Sequence, residues 1–392
     1  MSDNIFEPLV DSLFDSGKIL FDLSMNALSK IFKFELNNKI DFEEFFRVVE
    51  LKNSKEEYPE FIEFEKCKFY DCYRFKVPVG IGIVEFRKIL NNLSLFLKID
   101  INYLKCEVSE DFNIEIRILK NELEIIDFSI LEKENKIIPI GDFNIPLGLR
   151  IDNQKFVYWD MISDADCHCY IAGSTGSGKS NQVRTILSYL INTKTVNDIE
   201  FCLFNTKKLD LKEFKDVEHT KDFVHGKDNS LEMIEKMVRE MKDRYDLLDK
   251  YNYESWTELR KEKRLPYKLI VIEELSEFKG FNKFHKYFNL LLAQGRAAGV
   301  YIIATTQLPS RDIMDNEAKQ CFNTTIAQKS KDNIRANIIV DDENANLQKL
   351  KGKGHSKLYT SSDYSVEYQS FFIGKEQVKD IVSKKKKQNI DR

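Results

Sequence analysis

The stretch C-Y-I-A-G-S-T-G-S-G-K-S, residues 169–180, decides the fold. A short apolar strand leads into it, an amphipathic run follows it, and between them Gly173, Gly178, Lys179 and Ser180 satisfy the spacing G-x-x-x-x-G-K-[ST]. The glycines let Gly173, Ser174, Thr175, Gly176, Ser177 and Gly178 curl until successive amides face one point, and the start of the next helix adds partial positive charge there. A nucleoside triphosphate such as ATP suits that geometry: Lys179 would reach the β and γ phosphates and the Ser180 hydroxyl would hold Mg²⁺. A glycine turn that binds nothing would not need a strand before it and a helix after it.

Outward from the loop, hydrophobic stretches of four to six residues alternate with long amphipathic ones from about Pro139. The pattern predicts strands at Cys169–Ala172, Phe201–Phe204, Leu269–Ile272, Val300–Thr305 and Thr324–Gln328. Helices are expected at Lys179–Leu190, Ser230–Tyr251 and Lys283–Ala297. Strands separated by crossover helices make an α/β domain with a parallel sheet. The stretch K-L-I-V-I-E-E, residues 268–274, delivers Glu273 and Glu274 to the carboxyl edge of that sheet, where such folds bind ligands. By spacing, Glu273 would bind Mg²⁺ through water and Glu274 would polarise the attacking water.

The chain has 392 residues, which calls for more than one core. A smaller α+β unit is expected ahead of the P-loop domain: an alternating strand over Phe69–Val77, a helix over Glu85–Leu97, and strands over Phe112–Leu119 and Glu122–Ile130. Residues 35–66 read as an acidic connection with some helix. Helical spacing from Ile5 to Phe32 suits packing on the chain's own core, or docking on a partner protein or a membrane surface. The domain reading is 1–66 helical, 67–135 small α+β, 136–376 P-loop ATPase and 377–392 a basic tail. At 42% hydrophobic and 32% charged the composition is that of a folded soluble protein. No apolar run reaches the roughly 18 residues that a membrane span needs, so a cytoplasmic location is expected, with membrane association only through partners. The seven cysteines form no CxxC pair and read as buried thiols. A net charge of −4 argues against a protein that coats nucleic acid over its whole surface, while leaving room for a basic channel.

Taken together, the motifs resemble the FtsK/SpoIIIE family of hexameric DNA translocases. The family's P-loop is similar to I-A-G-S-T-G-S-G-K-S here, preceded by a segment similar to I-P-L-G-L-R-I-D-N-Q-K-F, residues 145–156. Its E-R-R-Y resembles E-M-K-D-R-Y at 240–245, its A-R-A-A-G-I-H resembles G-R-A-A-G-V-Y at 295–301, and its A-T-Q-R-P-S resembles A-T-T-Q-L-P-S at 304–310. Its closing L-L-G-x-G-D-x-L-Y is similar to L-K-G-K-G-H-S-K-L-Y at 350–359. The resemblance covers about residues 139–373 well and 70–130 more weakly, as the small domain that forms its own tier of the ring. It implies a RecA-like motor with ATP, Mg²⁺ and DNA as ligands and a homo-oligomer, a hexamer, as the working form.

The same resemblance assigns Gln307 as a polar sensor of the γ-phosphate and Arg335 as the arginine that enters a neighbouring subunit's site. Arg296 is matched, with a helix-end salt bridge and a catalytic part both open. The family's second motif has Asp where Glu273 stands. Its membrane-spanning N-terminus and its winged helix find no match, so septum anchoring and sequence-directed polarity are not implied, and a mobile-element or conjugative role is one setting that fits. DNA is expected to be held through its backbone, largely independent of sequence, with Lys349, Lys351, Lys353 and Lys357 as the candidate strip. A rival reading is an ATP-switched assembly protein that recruits partners through its N-terminal helical region without moving anything. A small-molecule kinase is disfavoured by the want of a second pocket or an arginine-rich lid.

Overall fold

A computed structural model describes residues 40–109, 111–120, 122–133, 143–206, 211–307, 310, 313, 315–342, 345–361 and 365–386. The helix expected over Ile5–Phe32, Lys387 and the end of the basic tail lie outside them. The chain divides into two compact units: residues up to 63 with 73–101 and 106–116 form one, and 64–72, 102–105 and everything from 117 onward form the other.

In the first unit the helix Phe42–Val48 is capped by Asp41, whose carboxylate accepts from the Glu44 amide at 3.0 Å. Phe42, Phe45 and Phe46 are all buried, because Phe42 and Phe46 find Phe75 and Phe86 opposite while Phe45 packs on Phe96. Phe46 meets Phe75 edge-on at 5.2 Å and Phe86 at 5.5 Å, the arrangement favoured by ring quadrupoles. Strands β1 (Glu60–Lys66), β2 (Tyr70–Lys76), β3 (Leu104–Val108) and β4 (Ile114–Leu119) form a sheet in the order β1-β2-β4-β3. Arg74 on β2 donates to the buried Glu115 on β4 at 2.7 Å, which lets that carboxylate stay inside. Residues 40–66 thus hold the helix expected in this connection and, in addition, a strand that was not.

The second unit is built on an eleven-stranded sheet. Its members are β5 (Ile126–Asp127), β6 (Asn144–Arg150), β7 (Phe156–Asp160), β8 (Cys169–Ala172), β9 (Ile199–Asn205), β10 (Thr220–Val224), β11 (Tyr267–Glu273), β12 (Val300–Thr306), β13 (Thr324–Gln328), β14 (His355–Tyr359) and β15 (Val366–Phe372). The order β10-β9-β11-β12-β8-β13 is parallel throughout, and β14, β15, β6 and β7 continue it antiparallel. Every residue of β8, β11 and β12 is buried, as a parallel sheet covered on both faces requires. Helices Lys179–Thr193 and Lys375–Ser383 bury Ile186, Leu190, Val378 and Ile381 on one face; helices Lys227–Tyr251 and Asn282–Gln294 bury Ile234, Met241, Phe288 and Leu291 on the other.

The five strands expected here are all present, two with their predicted bounds. Unexpected are β10 and the whole antiparallel wing. The stretch 122–130 is a correction: only Ile126–Asp127 is extended, and it pairs with β15 of the large sheet before a short helix at Ile130–Lys133. The first residues of the basic tail are also anchored, since the Lys385 carbonyl accepts from the Glu218 amide at 3.0 Å.

His168, fully buried just before β8, ties two elements together. Its Nδ1 accepts from the Ile302 amide at 3.2 Å, so the ring proton sits on Nε2 and is donated to the Leu292 carbonyl at 3.1 Å. Burial lowers its pKa to about 4, with Arg296 adding to the effect against the Leu292 bond. The folded value lies below the unfolded one, so stability is full above about pH 6.5 and is lost as pH falls towards 4. Urea unfolding should show about 2 kcal/mol of stability lost between pH 7 and pH 5 from this group, and a His168→Gln variant should lose that part of the pH dependence.

Candidate nucleotide-binding site

The chain leaves β8, passes through the P-loop and the helix Lys179–Thr193, and crosses β12 and β11 before re-entering the sheet at β9. A crevice opens at the carboxyl ends of the strands at such a switch point. Here it is a cleft of about 370 Å³ lined by Thr175, Gly176, Gly178, Lys179, Ser180, Asn181, Glu273, Glu274, Thr305 and Gln307. Three separate stretches of sequence therefore converge.

The shape of the loop depends on its glycines for different reasons. Gly176 and Gly178 have positive φ, +78° and +123°, where a side chain is strained. Gly173 needs space instead, because a Cβ there would lie 2.8 Å from the Gln328 Cβ. At Gly178 a Cβ would stand 2.7 Å from the Gly354 nitrogen. Backbone bonds pin the loop from outside: Ser174 N donates to Lys329 O at 2.8 Å, Gly173 N to Thr306 O at 3.3 Å and Gly354 N to Ser177 O at 2.7 Å.

Lys179 is buried and donates to the carbonyls of Gly173 at 2.7 Å and Ser174 at 3.0 Å, which holds its ammonium inside the curl of the loop. Ser180 Oγ lies 3.2 Å from Glu273 Oε1. The hydroxyl and the carboxylate thus form an oxygen pair of the kind Mg²⁺ takes beside phosphates. Thr206 Oγ1 donates to the Glu273 carbonyl at 2.6 Å, and Thr305 Oγ1 accepts from the Glu274 amide at 3.0 Å. Those bonds hold Glu274 in a left-handed backbone, φ 60°, a strain that tends to be kept only where surrounding structure enforces it. Glu274 Oε1 accepts from Ser276 Oγ at 2.5 Å, Gln307 N at 3.0 Å and Thr306 Oγ1 at 3.2 Å. Gln307 in turn accepts from Thr175 Oγ1 of the loop at 2.6 Å.

Residues 138–277 match the FtsK/SpoIIIE family model. The chain carries an FtsK/SpoIIIE family domain. Among curated proteins it is similar to the DNA translocase FtsK of Borreliella burgdorferi, 28% identical over 332 residues, which is 80% of this chain and 41% of that protein. It is also similar to the DNA translocase FtsK of Listeria monocytogenes, 24% identical, covering 79% and 43%. The chain thus spans about two fifths of the length of the curated relatives it matches. Among solved structures, the pCW3 conjugation coupling protein TcpA with ATPγS has a TM-score of 0.59 at 18% identity, over 87% of this chain and 97% of that one. The Type VII secretion ATPase EccC of Thermomonospora curvata has a TM-score of 0.59 at 16% identity, over 67% and 34%. The fold is that of P-loop ATPases.

Two of the motifs that carry the resemblance are structural. Arg244 donates to the carbonyls of Ala298 at 3.1 Å and Gly299 at 3.4 Å, and its guanidinium stacks over Trp256 at 4.3 Å. Tyr245 donates to Gln294 O at 2.8 Å. E-M-K-D-R-Y and G-R-A-A-G-V-Y are therefore two halves of one clamp, and Gly299 leaves room for Trp256, 2.3 Å from where its Cβ would be. Arg296 bonds the Asp164 backbone and lies 3.8 Å from its carboxylate, half exposed and outside the cleft lining, as the salt-bridge reading has it.

Arg335 is not among the lining residues of the cleft. It sits in the first turn of the helix Asn333–Val340, its amide donating to the cap Asp332 at 2.9 Å and its guanidinium 3.7 Å from the same carboxylate. Of the lysine strip, Lys351 places its ammonium over the Tyr103 ring at 3.5 Å and Lys357 donates to Ala345 O at 2.8 Å, while Lys349 and Lys353 are exposed. Ser276, Thr305, Thr306 and Gln328 are site residues that pattern reading passed over; the Thr-Thr pair just before Gln307 was the available signal.

Replacing Arg244 with Met should cost about 2–4 kcal/mol in chemical unfolding, since the buried Ala298 carbonyl loses a donor and the stacking of the guanidinium on Trp256 is lost. Nucleotide affinity measured on the folded fraction should stay that of the parent.

Proposed function

We propose that this chain is an ATP-dependent DNA translocase, a motor that hydrolyses ATP between identical subunits of a ring and moves DNA by its backbone. One observation carries the reading. A single cleft gathers the P-loop, the Ser180–Glu273 pair, the strained Glu274 and Gln307, and among the described residues no arginine lines it. A phosphoryl-transfer site in this class gains roughly 10³ to 10⁵ in rate from an arginine supplied by a neighbour, and Arg335, on a separate helix turn, is the residue we assign to that role.

In this reading Lys179 and the amides of Gly173, Ser174, Thr175, Gly176, Ser177 and Gly178 hold the β and γ phosphates. Mg²⁺, when bound, neutralises charge between those phosphates, and Ser180 with Glu273 would hold it. Glu274 orients and polarises the attacking water. Gln307, joined to both Glu274 and Thr175, reports the γ-phosphate to the rest of the sheet. A hexamer is the ring we assign, and Lys349 and Lys353 are the contacts we assign to DNA phosphates. Transfer of DNA by a mobile element is the setting we favour, given a fold shared over most of both chains with a conjugation coupling protein.

Long duplex DNA should raise the ATPase rate of the purified chain severalfold; no stimulation, together with no oligomer when nucleotide and DNA are both present, would defeat the proposal. Glu274→Gln should lower turnover by about 10²-fold or more while ATP binding persists. Arg335→Ala should lose turnover too, and mixing it with a Lys179→Ala chain should restore part of the activity if the arginine acts across subunits. An ATP-switched assembly protein would instead keep partner binding in at least one of these variants and show no response to DNA. Changing Lys349 and Lys353 together to Ala should reduce the slope of log affinity against log salt by about 2 on duplex DNA.

A further inference from the structure

We propose that Gln328 is a positioning residue for the nucleotide loop: it holds Ser177 so that the Gly178 amide faces the phosphates, and its unmatched end is taken up by the loop when a triphosphate binds. The inference rests on the cleft being a triphosphate site. Gln328 ends β13, which runs parallel beside β8 with Ala327 opposite Ala172, so it stands next to the first residue of the loop. Its carboxamide is fully buried, and Oε1 accepts from Ser177 Oγ at 3.0 Å. The Cβ of Gln328 occupies the space left by Gly173, and Nε2 lies 3.5 Å from where a Gly178 Cβ would be.

Ser177 is thus gripped twice, at its hydroxyl by Gln328 and at its carbonyl by Gly354 N at 2.7 Å. The second grip has a geometric consequence. In a planar trans peptide the C=O and the following N–H point in opposite directions. Turning the Ser177 carbonyl outwards to Gly354 therefore turns the Gly178 N–H away from Gly354, towards the concave side of the loop. An amide at that place is one of those that cradle phosphate oxygens.

Gln328 Nε2 is a buried donor with no hydrogen-bond partner among the described residues. Turning the amide over would exchange the end that meets Ser177 and leave the other end unmatched. A buried polar group left in this condition is costly, and it sits against the segment that must adjust as phosphates enter.

The test uses the full chain and compares Gln328→Met, Ser177→Ala and their combination. Binding of labelled ATP with Mg²⁺, the melting temperature without nucleotide, and kcat and KM are measured. Each single change should weaken ATP binding about tenfold or more, with the melting temperature near that of the parent. The pair should be no worse than the weaker single, since both break one link, and the loss should appear in KM more than in kcat. Should Gln328→Met not fold, Ser177→Thr, which keeps the hydroxyl, should bind ATP like the parent while Ser177→Ala does not. ATP affinity equal to the parent's in either single variant, additive losses in the pair, or a Ser177→Thr chain as weak as Ser177→Ala overturns the assignment. A parent chain that takes up no ATP would overturn the nucleotide reading instead.

Discussion

The backbone of Gly178 lies so close to the backbone of Gly354 that Gly178 has no room for a side chain, and the rest of the site depends on that contact. A Cβ on Gly178 would stand 2.7 Å from Gly354 N, and one on Gly354 would stand 2.2 Å from Ser370 Oγ. Through it the P-loop, which belongs to the parallel half of the sheet, is braced by the antiparallel half. The wing of β14, β15, β6 and β7 is therefore part of the nucleotide site's support. Asn181 makes a second tie of the same kind, donating to Phe371 O at 2.7 Å and accepting from Ile373 N at 3.2 Å.

The opposite wall of the cleft is held by a different device. Glu273 ends a strand whose every residue is buried and Glu274 follows it, and adjacent carboxylates there would repel if both side chains turned the same way. The left-handed turn at Glu274 separates them: one faces Ser180, and the other faces Thr306, Gln307 and Ser276. Two threonines, Thr206 just past β9 and Thr305 on β12, fix the backbone that makes this possible. Backbone strain, metal-side chemistry and water-side chemistry are consequences of one turn.

His355 shows how the brace is itself maintained. Its Nδ1 accepts from Lys351 N at 3.0 Å and its Nε2 meets Glu367 at 2.9 Å. Burial would raise the Glu367 carboxyl, but the bond from His355 and the nearby positive charges outweigh it and hold its pKa at about 2. The lysine-rich turn that brings Gly354 to the P-loop is thus closed by the His355–Glu367 pair, and Lys351 and Lys357 are engaged by protein groups.

The sequence by itself determined the nucleotide loop, the carboxylate pair and the parallel strands around them. These signals are local: a loop's glycine spacing, a strand's apolar run and a helix's period can each be read within a dozen residues. It also carried the family's motifs, but not what they are for. Arg244 and Gly299 are 55 residues apart, and only packing against Trp256 reveals them as one clamp. The antiparallel wing escaped pattern reading because strands such as β14 and β15 are set by pairing with distant partners, and Gln328 looked like the polar end of a strand. Tertiary structure alone decided that Gln328 and Gly354 meet the P-loop, since hydrogen bonds between segments 150 or more residues apart leave no periodic trace in the chain.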